Sequence, residues 1–404
     1  MTEQKKRSSA AVAQRRRKQA GAIQPQHPCI GLEAEFTLYV DGQKRLPEHV
    51  FRNPRHVVRE KMIPRAGRSW HLPSGGALYF DTGVMEVATP IIEIGRGCCV
   101  RAGRSLWEQI AFVREELDAW EHARGTSLRL EGFSAHYNIS VEGVCRDDPR
   151  SMHGLALLLT YLLHAPVMLL AANRLSTGVG VRPRDGRIEV TVDFTPDPDL
   201  MIATASLIAG IVLSVCQWPE HDLGALARHH LPFIASFKPR AHTSRKGYLA
   251  RFDCFPRNPF TTDPNRAEWL VTDGRRLSLR KLALEVAAPF RQSISAVTDA
   301  RATEHVFAVL EGRARSLLDF AERPPRYEDV GRLIDWTRRT QRALPRSRYE
   351  KVIHRVITHR PIRVGTSSYR PERMLGWYEI AFRNIRTGRR RVFTLDDLVR
   401  LGAF

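Results

Sequence analysis

The segment GLEAEFTLYVDG at residues 31–42 places two carboxylates in a run that is otherwise typical of a β-strand. Glu33 and Glu35 are two residues apart. Successive side chains of a strand point to opposite faces, so both would lie on the same face of a sheet. A solvent-facing sheet surface would explain this pair, and so would half of a cation-binding site. The rest of the sequence has to decide between the two interpretations.

The composition is that of a globular protein with an excess of positive charge. The 404 residues are 43% hydrophobic and 26% charged, which fits one large domain with an appendage or two to three ordinary domains. Lys and Arg number 63 against 43 Asp and Glu, so the net charge is +20. This balance favours anionic partners such as nucleic acid, anionic membrane surfaces, or phosphorylated and carboxylated ligands.

Cysteine usage and hydropathy indicate a cytoplasmic protein. The six cysteines show no C-x-x-C spacing and no accompanying histidine pattern, which argues against zinc and for reduced thiols. Two apolar runs, 154–172 and 201–216, resemble membrane spans. The first contains His164 and Pro166, and the second is shorter than the roughly 20 residues of a span. We therefore expect two buried helices and no membrane.

Changes in composition divide the chain into three predicted parts. Residues 1–27 are charged and Gln-rich, which predicts a disordered basic arm that could bind an acidic partner. Residues 28–290 mix strands and helices without a strict βαβ rhythm, which favours an α+β domain. Residues 291–404 are predicted to form a mainly helical C-terminal extension that ends in a hairpin around Thr387–Gly388 and a short helix.

Four predicted strands carry polar residues, most of them at i, i+2 spacing. A buried, unpaired carboxylate in an apolar strand such as GVMEVATP (83–90) is costly. If the strands form one sheet, several carboxylates and an imidazole share a face, and such a density of like charge requires cations. Oxygen-rich ligands with one nitrogen suit Mg²⁺ or Mn²⁺. The residues are Glu33 and Glu35, then Glu86, then His136, Asn138 and Ser140, and finally Glu189, Thr191 and Asp193.

A loop rich in arginine and glycine follows the first apolar helix. Arginine presents a planar fork that matches phosphate and carboxylate, and a cation site beside such a loop is typical of phosphoryl transfer. A solvated basic loop is the alternative interpretation. The four arginines between residues 173 and 187 are Arg174, Arg182, Arg184 and Arg187.

The order of these motifs resembles the glutamine synthetase superfamily, which includes the glutamate–cysteine ligases and other carboxylate–amine ligases. Residues 31–42 are similar to its Gly-x-Glu-x-Glu strand. GFSAHYNIS (132–140) is similar to its Gly-x-Gly-Met-His-x-His-x-Ser segment, with Asn138 where many members have a second His. NRLSTGVGVRPRDGRIEVTVDFTPDPDLMIATASLIAG (173–210) resembles its Asn-Arg-Ser loop, Arg-Ile-Glu-Val-Arg strand and Asp-Pro turn. The matched segments span residues 30–215.

The resemblance implies a glutamine-synthetase-like core on a curved antiparallel sheet with flanking helices. It also implies an ATP- and Mg²⁺-dependent ligase that converts a carboxylate, of amino-acid type, to an acyl phosphate that an amine then attacks. Family members often form oligomers, so a homo-oligomer is an expectation too. The implied metal ligands are Glu33, Glu35, Glu86, His136 and Glu189; the implied nucleotide-binding residues are His136, Asn138, Ser140 and Arg187; the implied catalytic arginines are Arg174, Arg182 and Arg187.

The sequence departs from the family pattern at two places. Thr191 stands where the family has a second Arg, which removes a phosphate contact unless Arg184 replaces it. The segment around Glu86 has one Glu where many members have two, and Asp81 is the only neighbour that could substitute. Two other functions therefore stay open. One is nucleic-acid binding through the basic arm and the Arg-rich C-terminal third; the other is a catalytically degenerate ligase fold with a regulatory or scaffold role.

Overall fold

The structure, a computed structural model, describes residues 27–65, 69–141, 149–242, 247–320 and 346–402. The predicted basic arm lies outside these ranges except for its last residue. Cys145 also lies outside them, and the five described cysteines are free thiols.

One large antiparallel sheet organises the first part of the chain. Within the described ranges it has twelve strands, ten of which follow the order β11-β12-β9-β10-β8-β1-β6-β5-β4-β3, while β2 and β7 pair with β1. The strands are β1 Cys29–Val40, β2 Gln43–Arg45, β3 Ile63–Pro64, β4 Trp70–His71, β5 Ala77–Asp81, β6 Val84–Ala88, β7 Ile92–Glu93, β8 Leu128–Ser140, β9 Val179–Arg184, β10 Arg187–Asp193, β11 Arg240–His242 and β12 Gly247–Ala250.

Helices cover one face of this sheet because the strands alternate in polarity. On β1, Leu32, Ala34 and Phe36 are at most 1% exposed and belong to a core shared with the helices, so Glu33 and Glu35 point to the opposite face. The helices are α1 Pro47–Phe51, α2 Cys98–Arg124, α3 Pro149–Ala171, α4 Pro198–Val215, α5 Gly224–Arg228, α6 Leu279–Ala287, α7 Arg291–Val297 and α8 Ala300–Leu310. A small hairpin, β13 Glu268–Leu270 and β14 Arg276–Ser278, precedes α6.

The two apolar runs form α3 and α4, as the sequence predicts. Both are long and apolar enough to cross a membrane by length and composition, but 89% and 83% of their apolar windows are buried inside the protein. Packing against the sheet and other helices therefore accounts for their hydropathy. Asp197 caps α4 by accepting hydrogen bonds from the backbone N–H groups of Asp199 and Leu200, which explains why the Asp-Pro turn starts a helix.

A second sheet forms the C-terminal end of the chain, where the sequence predicts helices and one hairpin. Two strands, β15 and β16, accompany that hairpin. Strand β16 is hard to predict from the sequence because it is polar and contains Pro371. This proline lies next to a register shift, where a strand tolerates proline. The elements are α9 Arg348–Ile357, β15 Ile362–Val364, β16 Ser367–Met374, β17 Glu379–Asn384, β18 Arg390–Thr394 and α10 Leu395–Arg400.

The hydrophobic cores divide the chain later than residue 290. Ile294 of α7, Phe307 of α8 and Leu318 all belong to the core of the large sheet. A second core lies under the C-terminal sheet and includes Cys29 and Ile63 from the first part of the chain. The boundary predicted between residues 290 and 291 thus falls inside a continuous core.

The crossing of α4 and α7 depends on Gly210. A Cβ atom added there would lie 2.7 Å from the Ile294 Cα atom. We expect Gly210→Ala to lower the free energy of unfolding by about 1–3 kcal/mol through overpacking, although alanine favours a helix by about 1 kcal/mol. Urea denaturation measures the change.

Gly95→Ala is the matched control, because a Cβ atom there meets nothing within 4 Å. It should change the free energy of unfolding by less than about 0.5 kcal/mol. Equal stability of the two variants would show that α4 and α7 do not pack as described.

Candidate functional site

The polar face of the large sheet brings the predicted site strands together. β1 lies between β6 and β8, so Glu33 faces His136 across one strand pair and Glu35 faces Glu86 across the other. Glu189 on β10 lies opposite Asn138, on the far side of β8. The two glutamates of residues 31–42 therefore lie inside a cluster of carboxylates and not on a solvated sheet surface.

His136 stands at the centre of this cluster. Its Nδ1 atom lies 3.1 Å from Glu33 Oε2 and 3.8 Å from Glu86 Oε1, and its Nε2 atom lies 3.7 Å from Glu35 Oε1. Two sets of ligand atoms, each within 4.8 Å of one another, share this histidine. The sets are Glu33, His136 and Glu189, and Glu35, Glu86 and His136.

A bulge in β8 positions this histidine. The pairing with β1 shifts from Glu35–Ser134 to Phe36–Gly132, so Phe133 is an extra residue without a partner on β1. Bulges of this kind re-aim the side chains beside them. Ser134 and His136 both point to the cluster: Ser134 Oγ donates a 2.5 Å hydrogen bond to Glu35 Oε2, and the Phe133 ring is left half exposed.

The buried carboxylates have very different proton affinities. Burial, together with the negative charges of Glu33 and Glu35, raises the pKa of Glu86 to about 10. Burial also acts to raise the pKa of Glu33, but the hydrogen bond and charge of His136 outweigh it and lower that pKa to about 2. The cluster therefore holds a proton on Glu86 at neutral pH, a proton that a bound cation would displace.

Three of the loop arginines surround the cluster. Glu189 forms an ion pair with Arg182 at 2.5 Å and accepts two hydrogen bonds from Arg184, at 2.9 and 3.1 Å. Burial acts to raise the pKa of Glu189, but these two guanidinium groups hold it below its ordinary value. Arg187 donates a 2.9 Å hydrogen bond to Asn138 Oδ1.

Arg174, predicted as a catalytic arginine, has a different environment. Its guanidinium donates to the carbonyl oxygens of Phe320 at 2.5 Å and of Thr261 at 3.4 Å. Arg174 does not line the cleft described below, although the three residues after it do. In this structure it joins the loop to the segment that follows α8.

A cleft of about 780 Å³ opens beside the cluster. Glu35, His136 and Arg182 contribute to its wall, and so do the cationic side chains of Lys44 and Arg251. Thr191 also lines it. Half of the exposed large apolar residues that the structure describes lie in this cleft: Leu46, Phe133, Leu175 and Phe252.

A second cavity, of about 100 Å³, lies at the other end of the cluster. Glu33, Asn138, Ser140 and Arg187 line it with Trp377 from the C-terminal sheet. Ser140 Oγ accepts a 2.6 Å hydrogen bond from the Cys29 backbone N–H. The residues predicted to bind the nucleotide are thus grouped on this side of His136.

The sequence gives no role to one residue of the site, Tyr79, and leaves the role of another, Asp81, open. Tyr79 donates a 2.6 Å hydrogen bond to Glu86 Oε1 from the neighbouring strand β5. Asp81, two residues on, lines the cleft but belongs to neither ligand set among the described residues. The i, i+2 spacing of Tyr79 and Asp81 indicates from the sequence that both share one face of the strand. The hairpin register that aligns Tyr79 with Glu86 is seen only in the structure.

The raised pKa of Glu86 predicts a stability that depends on pH. Between about pH 4.3, the ordinary pKa of a glutamate, and its folded-state pKa of about 10, the folded protein binds a proton that the unfolded chain does not. Stability therefore falls as pH rises. We expect Glu86→Gln to melt above the wild type, by a margin that grows between about pH 5 and pH 8.

Glu131→Gln on β8 is the matched control, because Glu131 is half-buried and outside both ligand sets. Its melting temperature should follow the wild type at every pH. A Glu86→Gln margin that does not change with pH would contradict the protonated state of Glu86.

Comparison with known proteins identifies the fold. No family model matches the sequence, and no curated protein is similar to it in sequence. A solved structure, the crystal structure of the complex between the prokaryotic ubiquitin-like protein Pup and its ligase PafA, superposes with a TM-score of 0.52 at 12% identity, over 92% of this chain and 89% of that chain. PafA belongs to the glutamine synthetase-like carboxylate–amine ligases. The predicted α+β fold with a large antiparallel sheet is confirmed: this chain has the fold of that ligase.

Proposed function

We propose that the protein is an ATP- and Mg²⁺-dependent ligase that joins a carboxylate to an amine through an acyl phosphate. The observation that carries this proposal is the pair of ligand sets that share His136, with arginines beside them on the open face of a ligase fold. Buried carboxylates at this density have no structural use, since burying unpaired charge is costly. In a site that binds divalent cations and nucleotide phosphates, these carboxylates would have a function as metal ligands.

The residues present fit a magnesium or manganese site. The two sets supply four carboxylates and one imidazole, a donor set that suits these hard cations better than zinc. His136 would hold one cation through the ring nitrogen that carries its lone pair, together with either Glu33 and Glu189 or Glu35 and Glu86, and the carboxylates of the other set would hold a second. When bound, the cations neutralise phosphate oxygens of the nucleotide.

The reaction needs two displacements. First, an oxygen of the substrate carboxylate attacks the γ-phosphorus of ATP, and ADP leaves. Second, the amine attacks the acyl carbon and inorganic phosphate leaves, while the amine gives up a proton. Arg182 lines the cleft within reach of His136 and Glu189, where a guanidinium can stabilise the charge of the transferring phosphoryl group.

Asp81 is the candidate for the proton acceptor of the second step. An alkylammonium ion must be deprotonated before it can attack, and a carboxylate in the cleft can take that proton. Asp81 lies in the cleft outside the ligand sets, on the same strand face as Tyr79. This role differs from the metal ligation that the sequence suggested for it.

The cleft favours a carboxylate carried on a large molecule. Its volume of about 780 Å³ lies in the range of pockets that enclose whole drug-sized ligands and exceeds the needs of a free amino acid. Exposed apolar side chains such as Phe133 and Leu175, together with cationic Lys44 and Arg251, suit an acidic polypeptide segment. The structural similarity to a ligase in complex with its protein Pup supports this choice.

The first prediction of this function concerns binding. Saturation at a hundred times Kd stabilises a protein by about 2.7 kcal/mol. We therefore expect ATP with MgCl₂ to raise the melting temperature by about 5 °C. The rise should disappear in Glu35→Gln, which loses a ligand, and persist in the control Glu131→Gln. No rise in the wild type would contradict the proposal and favour the nucleic-acid-binding alternative.

The second prediction separates the two chemical steps. Asp81→Asn should keep the thermal shift with ATP and MgCl₂, and should still form the acyl phosphate, which hydroxylamine traps as a hydroxamate. It should lose amide formation with an alkylamine by about 10²-fold or more. Full amide formation by Asp81→Asn would reject Asp81 as the proton acceptor, and hydroxamate absent from the wild type as well would identify a degenerate ligase.

A further inference from the structure

Arg65 occupies the joint between the large sheet and the C-terminal sheet. It follows β3, and the centre of its guanidinium lies 3.7 Å from the centroid of the Trp377 ring, in the connection between β16 and β17. The same group lies 5.8 Å from the centroid of the Tyr79 ring. Tyr79 in turn donates to Glu86. Arg65 is therefore held beside the carboxylate cluster by residues of both sheets.

The guanidinium of Arg65 lacks the partners that its burial demands. Its Nε and Nη1 atoms are buried without a hydrogen-bond acceptor in the described part of the chain. No carboxylate of the described residues lies within ion-pairing distance of it, although Glu33 and Glu86 are near enough for their charges to act on its pKa. Burying charged donors without acceptors is costly, so a purely structural arginine would not be left in this state.

The surroundings identify the ligand that would satisfy it. Trp377 and Arg187 line the cavity of about 100 Å³ that contains Glu33. The metal ligand Glu33 thus lies near cationic groups of Arg65 and Arg187 that come from different strands. An anion with several oxygens, placed beside the cations of the ligand sets, could accept from both guanidinium groups.

We propose that Arg65 is a phosphate-binding residue of the nucleotide site, and that stacking on Trp377 fixes the plane in which its N–H groups meet the phosphate oxygens. This inference rests on the proposed function, because the phosphates belong to ATP. It gives the C-terminal sheet a role in the site: Trp377 orients a guanidinium that β3 supplies. Arg65 follows β3, which lies at the opposite end of the large sheet from the arginines of β9 and β10.

Isothermal titration calorimetry with MgCl₂ and ATP, ADP or AMP tests the assignment. Arg65→Gln should weaken ATP binding by about tenfold or more and AMP binding by less than about threefold, because the guanidinium contacts phosphates that AMP lacks. Arg65→Lys keeps the charge and the stem but loses the planar fork, so its loss should be smaller. Without nucleotide, both variants should melt within about 3 °C of the wild type, because Nε and Nη1 give up no hydrogen bond.

The matched control is Arg373→Gln. Arg373 is exposed and lines, with Arg65, an outer cavity of about 610 Å³, so its removal changes the local charge equally. It should leave ATP affinity within about twofold of the wild type. Wild-type affinity for ATP in Arg65→Gln would overturn the assignment while the proposed function stands. Equal losses for ATP and AMP would overturn it as well, by assigning Arg65 a structural role. A wild type that binds no nucleotide would overturn both.

Discussion

The site depends on the concentration of like charge on one face of a sheet. Four glutamates converge on a single histidine, and Glu35, Glu86 and Glu189 are buried. The folded chain tolerates this in three ways: Glu86 keeps a proton, Glu33 pairs with His136, and Glu189 is held by two arginines. A divalent cation would neutralise the same charges together, which is the basis of the proposed metal site.

The order of the strands is what brings these like charges together on one face. β1 is central because it supplies a glutamate to each ligand set, and its neighbours β6 and β8 supply Glu86 and His136 across ladder-paired positions. The opposite faces of the same strands carry residues such as Phe36 and Tyr137, which are buried against the helices. One alternating pattern thus produces both the hydrophobic core and the polar site. A register slip of one residue would exchange them.

The sequence predicts the parts of the site that lie on regular strands. Period-two alternation puts Glu33, Glu35 and His136 on one face of the sheet, as the structure does, because the direction of a strand side chain depends on its position. Arg174 differs because it lies in a loop, where no periodicity sets direction, and its acceptor Phe320 is 146 residues away in the chain. Arg184, which the sequence offered as a phosphate contact in place of Thr191, instead donates a hydrogen bond to Glu189 across the β9–β10 hairpin. The stacking of Arg65 on Trp377 requires two sheets to meet, which no local pattern encodes.

Manganese binding tests the central claim most directly, because that claim assigns His136 and the carboxylates around it as the ligands. Electron paramagnetic resonance with Mn²⁺ and a non-hydrolysable ATP analogue counts the bound ions. The account predicts two ions per chain in the wild type and one fewer in both Glu189→Ala and His136→Ala, because a neutral imidazole holds one cation, while all three proteins remain folded. Two ions retained in His136→Ala, or none bound by the wild type, would contradict it.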